Sequence, residues 1–101
     1  MKTYRMDSEP TRLGICNYER KDDEIIFHEL MDILNKDKNI ILSEKKEFPY
    51  CDIIDGNCEK GTFVVIYDLN YGSEIKSDSK DVLDYLEQVL DRMSTRLNSS
   101  H

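Results

Sequence analysis

The chain has 101 residues, room for one small domain, and its 39% hydrophobic and 35% charged residues suit a globular fold in water rather than a membrane-spanning or collagenous one. A domain of this size buries only about two-thirds of the surface its unfolded chain exposes, which argues against a cofactor-sized interior cavity. With 14 Lys and Arg against 21 Asp and Glu, the formal charge of −7 repels phosphate backbones and anionic headgroups, so nucleic acid and membrane are not expected as partners, and either a basic protein partner or simple solubility is favoured.

Residues 1–10 mix charge with Pro10 and show no periodicity, which predicts an arm or a loosely attached edge. Residues 11–18 read as a short strand with Leu13 and Ile15 on one face and Cys16 and Tyr18 on the other, weakened by Gly14. Ile26, Phe27, Leu30, Met31, Ile33 and Leu34 then recur at three- and four-residue spacing, predicting a helix over 23–36. Asp22 or Asp23 is placed to cap it, and Asp23 and Glu24 lie where the helix dipole favours negative charge.

A short strand over 39–43 and a solvated loop over 45–47 follow. Residues 50–54 and 62–69 read as a hairpin turned by the glycine-bearing segment 55–61. In the second strand Phe63, Val65, Tyr67 and Leu69 share one side and Val64 and Ile66 the other, the pattern of a central strand covered on at least one face. Asn70-Tyr71-Gly72 makes a turn into a strand over 73–77, and Ser77 or Ser79 caps a final helix whose stripe is Val82, Leu83, Tyr85, Leu86, Val89 and Leu90. The order β-α-β-β-β-β-α predicts an α+β fold, a mainly antiparallel sheet with both helices on one face.

No apolar run approaches the roughly 20 residues of a membrane span, and residues 1–9 lack the apolar core of a secretory signal, so a cytoplasmic location is expected. Cys16, Cys51 and Cys58 cannot all pair within one chain, which suits a reducing compartment. The absence of Ala and Trp, and nine Lys to three Arg over residues 1–90, match an AT-rich coding sequence and suggest a bacterial source. That bias breaks at the end. Asp-Arg-Met-Ser-Thr-Arg-Leu-Asn-Ser-Ser-His, residues 91–101, resembles one reading frame of a common sequencing-library adapter and departs from it only at Met93. The resemblance implies a domain over 1–90 and a non-native tail over 91–101, and leaves the native C-terminus undefined. Residues 1–90 alone carry 12 − 20 = −8, so the acidity belongs to the domain.

A search for chemistry finds little. Cys51 and Cys58 have six residues between them, outside the C-x₂₋₄-C spacing of zinc pairs, and His28 lies on the first helix, so no metal site is expected. Cys16 and Cys51 are read as small core residues and Cys58 as an exposed turn residue. Asp68 to Ser79 opens like a calcium loop, but Gly72 falls one position early and Ser79 stands where a bidentate Glu is needed. Outside the tail His28 is the one histidine, with Glu24 and Asp32 as helical neighbours, which predicts a solvated residue rather than a catalytic base. Asp52, Asp55, Glu59 and Asp68 could pair as carboxylates, but turn and strand-end roles account for them, and no glycine-rich phosphate loop is present. No cofactor and no enzymatic activity are expected.

What remains is surface. Asp22, Asp23, Glu24, Glu29 and Asp32 crowd the first helix and Asp78, Asp81, Asp84 and Glu87 the second, while Phe48, Tyr50, Tyr67 and Tyr71 lie in or beside the hairpin strands and turns. Acidic charge speeds encounter with a basic protein and aromatics supply anchoring area, which makes Phe48, Tyr50, Tyr71, Asp81 and Asp84 the candidate partner-binding residues. In size, acidity, α+β layout and lack of catalytic residues the chain resembles, in general character, the small immunity proteins that bacteria encode beside polymorphic toxins. That resemblance implies stoichiometric occlusion of a basic protein toxin, without chemistry of its own. Two other classes stay open: a self-associating or subunit domain using an uncovered sheet face of Phe63, Val65 and Tyr67, and a small hydrolase, which would need a pocket uniting His28 with a cysteine or carboxylates. The oligomeric state is not legible.

Overall fold

The computed structural model describes residues 1–17 and 20–99, with residues 93–99 given by their backbone; Tyr18, the expected end of the first strand, lies outside the described residues. The predicted first helix has the expected bounds, α1 over Asp23–Lys36. Its stripe of Ile26, Phe27, Leu30, Ile33 and Leu34 is buried, whereas Met31 packs at the margin. The expected carboxylate cap is absent: the backbone carbonyl of Asp22 accepts the Ile25 and Ile26 N–H groups, and the Asp22 side chain makes no cap hydrogen bond. The second helix, α2 over Lys80–Ser99, starts as the sequence suggests. Ser79 Oγ accepts the Val82 N–H, and Ser77 Oγ accepts the Ser79 N–H while donating to the Thr62 carbonyl. The helix runs past Leu90 without a break, so the expected domain limit falls inside it.

Among the described residues seven strands make one antiparallel sheet: β1 Thr3–Met6, β2 Glu9–Ile15, β3 Ile41–Leu42, β4 Lys46–Glu47, β5 Cys51–Cys58, β6 Gly61–Asp68 and β7 Gly72–Lys76. The spatial order is β1-β2-β7-β6-β5-β3, and β4 also pairs with β5. The fold is α+β with both helices against one sheet face. There Leu13, Ile54, Phe63, Val65 and Ile75 meet Leu30 and Leu34 of α1 and Val82, Leu83, Leu86 and Leu90 of α2, all of them buried. A hydrogen bond ties the helices where α1 ends, the Tyr85 hydroxyl donating to Asp37 Oδ2 at 2.8 Å.

Several expectations are corrected. Residues 1–10 contain β1 and the start of β2, and the predicted loop over 45–47 contains β4. The hairpin turn is shorter than expected, because β5 continues through Asp55, Gly56 and Asn57 to Cys58, paired residue by residue with β6. Gly56 serves close approach instead of a turn: a side chain there would run into the Phe63 ring across the ladder. The true turn is Glu59-Lys60, next to Gly61 at φ +145°. Phe63 and Val65 lie beneath the helices, so the uncovered face belongs to Val64 and Ile66. Leu69, grouped with Phe63 by alternation, is exposed beyond the end of β6. Cys16 and Cys51 are half-buried free thiols, not fully enclosed core residues, and Cys58 is half-buried against the core rather than exposed.

Candidate functional site: an aromatic and acidic rim

Two turns stand side by side at one end of the sheet. Between β4 and β5, the Phe48 N–H donates to the Cys51 carbonyl at 2.8 Å, closing a turn around Pro49 and Tyr50. Between β6 and β7, Asp68 Oδ1 accepts the N–H groups of Asn70 at 2.7 Å and Tyr71 at 3.1 Å, and Gly72 takes φ +78°, a conformation costly for any residue with a Cβ. The Leu69 N–H donates to the Tyr50 carbonyl at 3.2 Å and joins the turns. They hold out Phe48, Tyr50, Leu69 and Tyr71; Tyr50 is 77% exposed and Tyr71 85%.

The start of α1 reaches the same end. Asp23 lies against Gly72, close enough that a Cβ there would sit 3.4 Å from Asp23 Oδ1. Behind the turns Tyr67 stacks on Phe27, with ring centroids 4.9 Å apart. Burial holds its phenol above the ordinary range, and the charges of Asp23, Glu24, Asp52 and Asp22 add to the shift. Asp52 is the cross-strand neighbour of Tyr67, and Asp22, Asp23 and Glu24 lie at the start of α1 beside the Gly72 turn. Lys45 offsets part of that charge, 3.9 Å from Asp52 and 3.7 Å from Glu47.

The structure therefore unites three of the five residues singled out from the sequence, Phe48, Tyr50 and Tyr71, and places the other two elsewhere. The first turn of α2 packs at the opposite end of β6, where Gly61 approaches Val82 and Ser79. Asp81 is exposed there, and Asp84 is taken up in an ion pair with Arg5 of β1. Sequence reasoning missed Leu69 and Asp52 as rim residues. The run Leu69-Asn70-Tyr71-Gly72 was the available signal, since a large apolar residue inside turn chemistry is held out by the turn.

His28 is exposed, its Nε2 3.8 Å from Glu24 Oε1 on the preceding turn of α1. Among the described residues no group of His, Cys, Asp and Glu is arranged to hold a metal ion, and no helix is long and apolar enough to cross a membrane. An open depression of about 490 Å³ lies at the hairpin end of the sheet, lined in part by Ile41, Asp55, Thr62, Val64 and Lys76. Asp55 there pairs with Lys46 at 3.1 Å. Comparison with family models, curated proteins and solved structures finds no match for this chain.

Proposed function

We propose that this protein is a non-enzymatic bacterial binding module, working in the cytoplasm, that occludes a basic protein partner in the manner of a toxin-immunity protein. The observation that carries the reading is the rim: four large apolar side chains held out on two hydrogen-bonded turns, flanked by Asp52 and the acidic start of α1. Aromatic residues on ordered turns bury much area with little loss of side-chain freedom, and neighbouring negative charge steers a cationic surface onto them. The net charge of −7 extends that steering beyond the contact itself.

The test is binding kinetics with the product of the adjoining gene, the most direct candidate partner. Raising salt from about 50 to 500 mM is expected to slow association far more than dissociation. Tyr71→Ala or Tyr50→Ala should accelerate dissociation, with a loss of about 2 kcal/mol or more at an anchoring residue. Asp23→Asn should lower the association rate more than Asp84→Asn, because Asp84 is already engaged by Arg5. Binding without salt dependence, or unaffected by either tyrosine change, would refute occlusion through this rim.

A further inference from the structure

β6 is apolar on both faces. Phe63 and Val65 are buried under the helices, yet Val64 and Ile66, with Ile53 beside them on β5, occupy the face that no helix covers. An antiparallel sheet with one solvated face normally alternates apolar and polar residues, and its most central strand departs from that rule here. The strand register arranges the open face in rows. Asp55, Val64, Lys76 and Arg12 lie in one row across β5, β6, β7 and β2, and Ile53, Ile66, Glu74 and Gly14 lie in the next. The first row thus runs from negative through apolar to positive.

We propose that this open face is a contact between two copies of the chain, related by a two-fold axis along β6. Such an axis exchanges the β5 and β7 sides. Asp55 of each copy then meets Lys76 of the other, while Val64 and Ile66 meet their own counterparts, the self-complementarity that an isologous contact requires. Asp68, at the end of the same strand, has its carboxylate engaged by the Asn70 and Tyr71 amides. Charge selects a second copy for this face. Two chains of net charge −7 repel through most of their surface, but here Arg12, Lys46 and Lys76 stand beside Glu74, Glu9 and Asp55 in near balance. The size fits a weak, reversible contact, smaller than a standard interface. Strands about 4.8 Å apart rising about 3.3 Å per residue give a face on the order of 400 Å² in plan from β2 to β3, and more in accessible area. A standard interface buries about 800 Å² per partner.

Sedimentation velocity on the full chain, from about 1 to 300 μM, is the test. The wild type is expected to show a reversible monomer-dimer equilibrium. Ile66→Lys should raise the dissociation constant at least tenfold with the circular dichroism spectrum unchanged. Should that variant fold poorly, charge reversal provides an independent arm: Lys76→Glu and Asp55→Lys should each weaken the dimer, and the two together should restore it to within about threefold of wild type. The proposal is overturned by a wild type that stays monomeric throughout, by a dimer indifferent to Ile66→Lys, or by a double reversal weaker than either single one.

Discussion

The same strands build two unlike faces. On the helix side Leu13, Ile54, Phe63, Val65 and Ile75 are enclosed by two helices, and each touches neighbours contributed by other parts of the chain. On the open side the alternate residues include Arg12, Asp55, Glu74 and Lys76, whose partly exposed side chains form ion pairs, Arg12 with Glu74 and Asp55 with Lys46 across neighbouring strands and Lys76 with Glu74 along β7. Burial fixes the first face, because every side chain there has lost its water and must be matched by packing. The second face carries charge in near balance and keeps access to solvent, so it contributes less to stability and remains available for contact.

The largest expected effect tests whether stability resides on the covered face. Leu86 is fully buried, and Leu86→Ala should cost about 3 kcal/mol in urea unfolding, from lost transfer energy and the cavity left behind. Ile66→Ala on the open face, measured at low micromolar concentration, should cost about 1 kcal/mol or less. Equal costs would break the comparison, showing that the open face is packed as tightly as the core.

A sharper contrast comes from two glycines that are both crossed by aromatic rings. A Cβ at Gly56 would enter the ring of Phe63 on the covered face, and a Cβ at Gly14 would enter the ring of Tyr4 on the open face. The overlaps are alike but the freedom to relieve them is not, since Phe63 is 2% exposed and Tyr4 41%. Gly56→Ala should therefore destabilise by about 2 kcal/mol, as overpacking does in a closed core. Gly14→Ala should cost well under about 1 kcal/mol, because the Tyr4 ring can swing outward at the expense of its contacts with Arg12. Paired urea curves check the difference, and a reversed order would mean that Tyr4 is the more firmly held ring.

That pair of glycines also shows where the sequence was and was not legible. Helix α1 could be read to the residue, because Ile26, Phe27, Leu30, Ile33 and Leu34 repeat at the helical period and acidic residues mark its start. Strand β6 was equally plain from its run of β-branched and aromatic residues. The hairpin was misread because Asp55-Gly56-Asn57 has the composition of a turn, while the reason for Gly56 is the Phe63 ring on the neighbouring strand, a contact that local composition does not reveal. β1 and β4 escaped notice because short, exposed edge strands bury too little to impose a pattern. At the rim, the turn context of Phe48, Tyr50 and Tyr71 signalled exposure, but their meeting depends on the hydrogen bond between Leu69 and Tyr50 and could not be read from either turn. Asp84 looked free for the same kind of reason: its partner Arg5 lies 79 residues away in the chain.

The smallest expected effect is confined to alkaline solution and again separates the covered face from its surroundings. Burial raises the pKa of Tyr67, helped by the nearby carboxylates, and burial raises that of Tyr85, helped by its hydrogen bond to Asp37. Unfolding releases both phenols to the ordinary value of about 10. Below that pH the two states bind the same protons at these sites, so the groups cause no pH dependence. Above it the unfolded chain ionises first and binds fewer protons than the folded one, so stability falls as pH rises until the folded pKa values are passed. Tyr67→Phe with Tyr85→Phe should leave a shallower decline above about pH 10 than wild type, even though the lost hydroxyls lower stability near neutrality. Urea unfolding at a series of pH values checks the slopes. Identical slopes in the two proteins would show that these phenols ionise as readily in the fold as outside it, and that the helix side of the sheet admits water at Tyr67 and Tyr85.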